Sequence, residues 1–187
     1  FLGLRDSRPH GVEARRRLLR IAEVTRDWER AVDLGLELNR VAPGSVEPTR
    51  LAHYYCELAE IARARQDLET ARTLLVRAES VEPGKPRLLL LRADLAADGG
   101  SARQAVEQLA QLGPDDPAIL DAVVARLLAW HALPGFREEA ARQLAVIGRT
   151  APGLRGIALA TLRDNRRDDP LALGYLTEGV VTPVVPQ

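Results

Sequence analysis

A repeated pairing of one alanine with one proline is the feature that most restricts the fold of this chain. Four alanines are each followed, twelve residues later, by a proline, and successive alanines are 40, 34 and 35 residues apart. A period near 34 residues is typical of helix pairs that stack and bury a continuous core. The pairs are Ala31 with Pro43, Ala71 with Pro83, Ala105 with Pro117, and Ala140 with Pro152.

Each residue of this pattern has a physical role. A small alanine at the centre of a second helix lets the two helices of a pair approach closely, and a proline cannot continue the helix that it follows. Asp27, Asp67 and Ser101 precede the second helices and are N-cap types. Ser101 with Gln104 has the spacing of a capping box, and Asp116-Pro117 is typical of a cap followed by a first-turn proline.

The pattern predicts an all-α fold, a tetratricopeptide-type right-handed superhelix of antiparallel helix pairs (an α-solenoid). Apolar residues recur at helical spacing over 51–65 and 68–80. Further first helices are predicted at 87–98 and 120–133. The first repeat step has six extra residues, which we place in the loop 42–48.

The predicted organisation is one tetratricopeptide-repeat domain fragment over 1–187. Its repeats span about 12–45, 50–85, 86–119 and 120–153. Phe1 to Leu4 is typical of the tail of a second helix, and the chain does not begin with Met. Residues 154–178 are expected to form a partial or irregular helical end, and 179–187, with two prolines, an extended tail.

Composition excludes several classes of function. The formal net charge is zero, with 26 basic and 26 acidic residues, so no bulk positive field attracts nucleic acid. One cysteine cannot form an intrachain disulfide or a cysteine-rich metal site. No apolar run approaches the length of about 18 residues that a membrane helix requires. We therefore expect no cofactor, no metal, and no direct membrane contact from these residues.

Catalysis is not the favoured interpretation. The sequence contains no phosphate-binding glycine loop, His-Glu-x-x-His motif or nucleophile elbow. His53 and Cys56 are three residues apart on one predicted helix and could touch, but no oxyanion site accompanies them. The simpler interpretation makes Cys56 a packing residue and His53 a partly exposed polar one. Trp28 and Trp130 are interpreted as core anchors.

A groove lined by the first helices is the predicted binding surface. Its charged part leads to a narrow apolar stripe, which suits a peptide or helix with one charged and one apolar portion. Charge reversal at Arg63 is expected to weaken binding without unfolding the chain. The simpler alternative is that the mixed charges only keep the surface soluble. The candidate groove residues are Arg16, Arg20, Glu23, His53, Cys56, Glu60, Arg63, Arg87, Leu90, Asp94, Ala125 and Ala129, with Glu13, Asp98, Ala122 and Ala132 at neighbouring groove positions.

One nine-residue segment carries a family resemblance. The sequence from Leu51 to Ala59, LAHYYCELA, resembles a stretch of the lipopolysaccharide assembly protein B family, bacterial tetratricopeptide proteins of the inner membrane. The helix start DWERAV at 27–32 and the segment DLETA at 67–71 are similar to the flanking helices of that family. The resemblance covers roughly Val12 to Pro152, and outside the nine residues it is mostly generic repeat consensus.

The resemblance implies a non-catalytic adaptor. Such proteins present the deacetylase of the lipid A pathway to a membrane-bound ATP-dependent protease and so regulate lipopolysaccharide synthesis. The family also carries an N-terminal membrane anchor and a C-terminal zinc module with paired Cys-x-x-Cys motifs, and neither occurs in these 187 residues.

The implied location is the cytoplasm at the inner face of the inner membrane, and the exposed terminal helices make a homo-oligomer conceivable. Two alternatives remain open. The chain could be a generic peptide-binding repeat domain of another bacterial assembly, or a helical lobe of an enzyme whose active site lies elsewhere.

Replacing Ala71 with leucine tests the repeat register. If Ala71 is the close-contact residue of its helix pair, Ala71→Leu overpacks the interface and lowers the free energy of unfolding by about 1–3 kcal/mol. Urea denaturation followed by circular dichroism measures the change. A neutral substitution would show that the register is wrong.

Overall fold

The computed structural model describes residues 8–112 and 117–150, and these residues fold into eight α-helices without a strand. The all-α prediction is therefore confirmed for this part of the chain. The predicted features at Phe1 to Leu4, Pro152, 154–178 and 179–187 lie outside the described residues. The helices are α1 (Arg8–Thr25), α2 (Trp28–Val41), α3 (Pro48–Ala64), α4 (Leu68–Val81), α5 (Pro86–Asp98), α6 (Ala102–Ala110), α7 (Pro117–His131) and α8 (Arg137–Thr150).

The helix bounds match the predicted ones closely, but the six extra residues of the first step lie mainly elsewhere. The connection from α2 to α3 is only slightly longer than that from α4 to α5, whereas α3 has 17 residues and α5 has 13. The prediction that the loop holds the whole insertion is therefore wrong. Four residues add about one helical turn, which lengthens the helix while keeping its buried face in register.

The turn inside each helix pair repeats with one backbone geometry. Arg26, Gln66 and Gly100 lie at the same repeat position, and all three are left-handed, with φ of 56°, 63° and 79°. The amide of the residue after each of them donates to the carbonyl oxygen five residues earlier, at 2.8 to 3.0 Å. This bond closes the carbonyl end of the first helix as in a Schellman motif. The second helix thus leaves each turn in a fixed direction.

Three of the predicted side-chain caps lie within the described residues, and two of these are formed; the predicted cap at Asp116 lies outside the described residues. Asp27 accepts from the amide of Arg30, and Asp67 accepts from the amide of Thr70. Ser101 occupies the N-cap position of α6, but its side chain makes no capping hydrogen bond. The predicted Ser101 cap is therefore wrong. The turn itself closes like the other two, with a backbone bond from the Ser101 amide to the carbonyl oxygen of Ala96 at 3.0 Å.

The central alanines are buried as predicted. Ala31, Ala71, Ala105 and Ala140 are each 0% exposed. The helices α2 and α3 also approach closely at Gly35, where an added Cβ would lie 2.8 Å from a methyl carbon of Leu51. The second helices therefore pack closely against their neighbours at small residues, alanine and glycine.

Contacts divide the chain into two compact units, Phe1–Leu95 and Ala96–Gln187. In the first unit α1 packs on α2, α2 on α3, and α3 on α4, around a core that includes the fully buried Leu38 and Tyr54. In the second unit α8 packs against both α6 and α7. Trp130 is 8% exposed there, with its ring 6.0 Å from that of Phe136, and so is a core anchor as predicted.

The left-handed residue Gln66 provides a stability test. Gln66→Gly removes the cost of about 1 kcal/mol that an L-residue incurs in this conformation, and the extra backbone entropy of glycine offsets about half of it. We expect the free energy of unfolding to rise by about 0.5 kcal/mol in urea titrations. The control Arg77→Gly, at an exposed position inside α4, should lower it by about 0.8 kcal/mol. A destabilised Gln66→Gly protein would contradict the proposed strain.

Candidate protein-binding surface

The predicted groove residues of the first unit lie on α1, α3 and α5, and their exposure divides them into three groups. Most are available to a partner, whereas two lie in the core. Cys56 and Asp94 are 2% and 8% exposed, so neither can line an open groove. Arg16, Arg20, His53 and Glu60 are exposed, and Glu23, Arg63, Arg87 and Leu90 are half-buried.

A carboxylate on α1 is held by two side chains of α3. Arg50 donates from Nε and from Nη2 to the two carboxylate oxygens of Glu23, each at 2.6 Å, and the Tyr54 hydroxyl donates to the same group. The hydrogen bond from Arg50 holds the pKa of Glu23 below its usual range. Burial, and the bond it donates to Glu23, raise the pKa of Tyr54. This cluster joins neighbouring first helices directly.

A second cluster joins α3 to α5 around Arg87. Its guanidinium donates to Glu57 at 2.6 Å and to Glu60 at 2.9 Å, and it lies 2.7 Å from Nδ1 of His53. The His53 nitrogen must be unprotonated to accept this bond. Three acceptors from three turns of α3 therefore converge on one cation of α5.

Arg63 also links these two helices, because it lies 3.5 Å from the mostly buried carboxylate of Asp94. A glutamate at position 63 would place two carboxylates together where Asp94 has little access to water, and that arrangement is strongly unfavourable. Arg63→Glu therefore cannot separate binding from folding. Our expectation that this reversal leaves the fold intact is revised for that reason.

Trp28, at the start of α2, packs on α3. Its ring lies edge-on to His53, with centroids 5.4 Å apart, and stacks on Tyr54 at 5.9 Å. The side chain is half-buried against the core of the first unit. Trp28 is thus an anchor, as predicted, and it fixes the two α3 residues that take part in the ionic clusters.

Cys56 does not have the chemistry of a nucleophile. The thiol is buried, and this burial raises the pKa of Cys56 to about 11. A thiol rather than a thiolate is therefore present at neutral pH, and only the thiolate is a strong nucleophile. The structure agrees with the packing role that the sequence favoured for Cys56.

The apolar part of the predicted groove lies in the second unit. Ala125 and Ala129 are exposed on α7, with Ala122 half-buried on the same helix and Ala132 exposed just after it. Asp98 is exposed at the end of α5. The alanines form a stripe on α7 without long side chains, so a partner could approach its backbone closely.

Sequence reasoning missed Arg50, Tyr54 and Glu57, which hold the ionic clusters together. Their spacing of four and three residues places them on one face of α3. That spacing indicates a shared face, but it does not indicate which neighbouring helix supplies the opposite charge.

The described ranges contain neither a metal-binding cluster nor a membrane-spanning helix. Within them, no group of three or more His, Cys, Asp or Glu side chains is placed to hold a metal ion. None of the helices between residues 8 and 150 has both the length and the hydropathy needed to cross a membrane.

Comparison with known proteins supports the resemblance stated from the sequence. The chain is 28% identical to lipopolysaccharide assembly protein B of Escherichia coli K12 over 116 residues, and 31% identical to the protein of the same name from Haemophilus influenzae over 117 residues. These segments are 62% and 63% of this chain, but only 30% and 29% of the relatives. The chain thus spans less than a third of the length of these curated relatives. No protein-family model matches it.

The Glu23 cluster predicts a pH-dependent contribution to stability. The pKa of Glu23 is lowered in the folded chain, so its stabilisation is complete above the unfolded value of about 4.3 and is lost as pH falls through the lower folded value. We expect Glu23→Gln to lower the free energy of unfolding by about 1 kcal/mol at pH 7, allowing for solvent screening, and by much less at pH 3.

Urea denaturation of the wild-type chain and of Glu23→Gln between pH 7 and pH 3 measures this difference. Glu13→Gln is the control, because among the described residues Glu13 pairs with the exposed Arg17 of its own helix and not with a neighbouring helix. A Glu23→Gln penalty that stays constant over the whole pH range would rule out an ionic contribution.

Proposed function

We propose that this chain is part of a non-catalytic protein-binding scaffold that regulates lipopolysaccharide synthesis. The observation that carries the proposal is the similarity to proteins named lipopolysaccharide assembly protein B over 116 residues. Because the chain spans under a third of those proteins, the role concerns the larger protein of which such repeats are a part.

The scaffold is proposed to be a right-handed tetratricopeptide-type superhelix of antiparallel helix pairs. The repeated left-handed turn and the fully buried central alanines support it. The connection between α1 and α2 has only two residues, and such short connections favour antiparallel neighbours. Stacking of such pairs leaves the first helices along one surface, where a partner can lie across several repeats.

The proposed partners are a membrane-bound ATP-dependent protease and the deacetylase of the lipid A pathway. In this proposal the repeats hold the deacetylase where the protease can degrade it, at the cytoplasmic face of the inner membrane. The location and both partners come from the family resemblance. The burial of Cys56, with its raised pKa, supports a binding role over a catalytic one.

The first-helix groove is the proposed docking surface. Its internal ion pairs fix Glu23, Glu60 and Arg87 in place, so these groups meet a partner already ordered. Pre-ordered polar groups lose less side-chain entropy on binding. Arg16, whose only described polar contact is a 3.5 Å approach to Ser45, remains available for a carboxylate of the partner.

A pull-down with the full-length protein as bait tests this function. We expect the wild-type bait to recover both the protease and the deacetylase from a Gram-negative lysate, as measured by immunoblotting. Arg16→Glu should reduce recovery of at least one of them roughly tenfold, because it replaces attraction by repulsion at an exposed site.

The matched control is Arg77→Glu, an exposed reversal on α4. Recovery of neither protein by the wild-type bait would refute the adaptor role. If the Arg16→Glu bait recovers both proteins in the same yield as the wild-type bait, the interface lies outside this groove.

A further inference from the structure

Two exposed arginines of α1 have no ionic partner among the residues that the structure describes. The Arg16 side chain approaches the hydroxyl of Ser45 at 3.5 Å, and the Arg20 side chain makes no described polar contact. Arg16, Arg20 and Glu23 are spaced by four and three residues, so they share one face of α1. Because Arg16 lies beside the loop before α3 and Glu23 bonds to α3 itself, this face borders the first-helix groove. We call Arg16 and Arg20 the arginine pair.

The next step along the groove shows how the corresponding position can be neutralised. With the repeat offsets of 40 and 34 residues, Arg20 corresponds to Glu60, and His53 corresponds to Arg87. Between α3 and α5, Glu60 accepts a hydrogen bond from Arg87 at 2.9 Å. Between α1 and α3 the equivalent residues are Arg20 and His53, and neither is a carboxylate. The step from α1 to α3 therefore has an arginine where the step from α3 to α5 has the acidic partner.

The ionic link between α1 and α3 is built by other residues and leaves Arg20 uncompensated. Arg50 donates to both carboxylate oxygens of Glu23 at 2.6 Å, and Tyr54 donates to the same group. The α5 equivalent of Arg50 would be residue 84, which lies before the first residue of α5, Pro86. The additional turn at the start of α3 thus supplies this link, and the carboxylate of Glu23 is engaged by α3 rather than by Arg20.

The surroundings of the arginine pair favour a protein carboxylate over a dense polyanion. Glu13 precedes Arg16 by three residues and Glu23 follows Arg20 by three, so a carboxylate lies at each end of the pair. These two groups would repel the successive phosphates of a nucleic acid. Four residues of a helix span about 6 Å, and alternate residues of an extended peptide are about 6.6 Å apart. Two carboxylates at that spacing can meet both arginines and stay between the two glutamates.

We propose that Arg16 and Arg20 bind an extended acidic segment of a protein partner, with carboxylates of alternate residues paired to the two guanidinium groups. Arginine suits this role because its paired N–H donors match a carboxylate and fix its orientation. The inference rests on the protein-binding role and the first-helix groove proposed above, and it specifies the charge of the segment that lies along α1.

Three peptides of about ten residues provide the test. They carry glutamate, glutamine or lysine at alternate positions, with serine between them. We expect the glutamate peptide, at low salt, to shift the amide NMR signals of residues 13–24 of the full chain in a saturable manner. The glutamine peptide should bind at least about fivefold more weakly, and the lysine peptide should not bind there. Equal affinities of the glutamate and glutamine peptides, or no saturable shift, would overturn the proposal.

A double substitution locates the binding. Arg16→Gln with Arg20→Gln should weaken the glutamate peptide at least about fivefold. The matched control is Arg30→Gln with Arg77→Gln, which removes the same charge at exposed positions of α2 and α4 and should leave the affinity unchanged. A loss of equal size in both variants would indicate attraction by net charge alone, and an unchanged affinity in the first variant would place the peptide elsewhere. Either result contradicts the assignment.

Two further measurements separate the other occupants. A single-stranded oligonucleotide of about ten nucleotides that binds the arginine pair more tightly than the glutamate peptide would overturn the assignment to a protein. Light scattering that shows a dimer, dissociated by the double substitution at Arg16 and Arg20, would make a second copy the occupant and would also overturn it. A monomer that prefers the glutamate peptide supports the proposal.

The wild-type pull-down keeps this inference separate from the adaptor role. Peptide binding without recovery of the protease or the deacetylase would refute the adaptor role alone. Recovery of both proteins, without a difference between the glutamate and glutamine peptides, would refute this inference alone.

Discussion

The rest of this structure depends on close contact between helices at small residues, alanine and glycine. Ala31, Ala71, Ala105 and Ala140 have no exposed surface, and Gly35 brings the backbone of α2 against Leu51. Larger side chains at these points would push the helices apart, and the contacts that flank these points would then be lost. The ionic clusters between α1, α3 and α5 need this spacing, because N–H···O hydrogen bonds have donor–acceptor distances of no more than about 3.2 Å.

The sequence predicts much of the fold because the pattern repeats. The helix bounds, the buried alanines and the caps at Asp27 and Asp67 follow from helical spacing and local backbone chemistry. The Ser101 side chain makes no capping bond although its turn has the same backbone bond as the turns before Asp27 and Asp67, and the structure offers no explanation of this difference. The insertion in the first step was misplaced because a loop and one additional helical turn leave the same spacing between alanines.

The candidate surface is less accessible to sequence reasoning. Spacing places Arg16, Arg20 and His53 on exposed faces, but it also places Cys56 and Asp94 there, and both are buried. Helical periodicity gives the direction of a residue from its own helix axis, not the position of the next helix. Whether Arg63 is free for a partner or is already beside Asp94 depends on the packing of α5, and no pattern within α3 contains that information.

The unequal linkage between the first helices has a mechanical consequence. Apolar packing joins α2 to α3, whereas side-chain ion pairs join α1 to α3 and α3 to α5. Apolar contact is barely affected by dissolved salt, but partly exposed ion pairs are screened over a Debye length of about 10 Å at 0.1 M. Resistance to bending within the first unit therefore depends on the direction of bending. Between α2 and α3 it comes from apolar packing, which salt barely changes. Between the first helices it comes from ion pairs, so a change of ionic strength alters the stiffness of this segment without any change in its core.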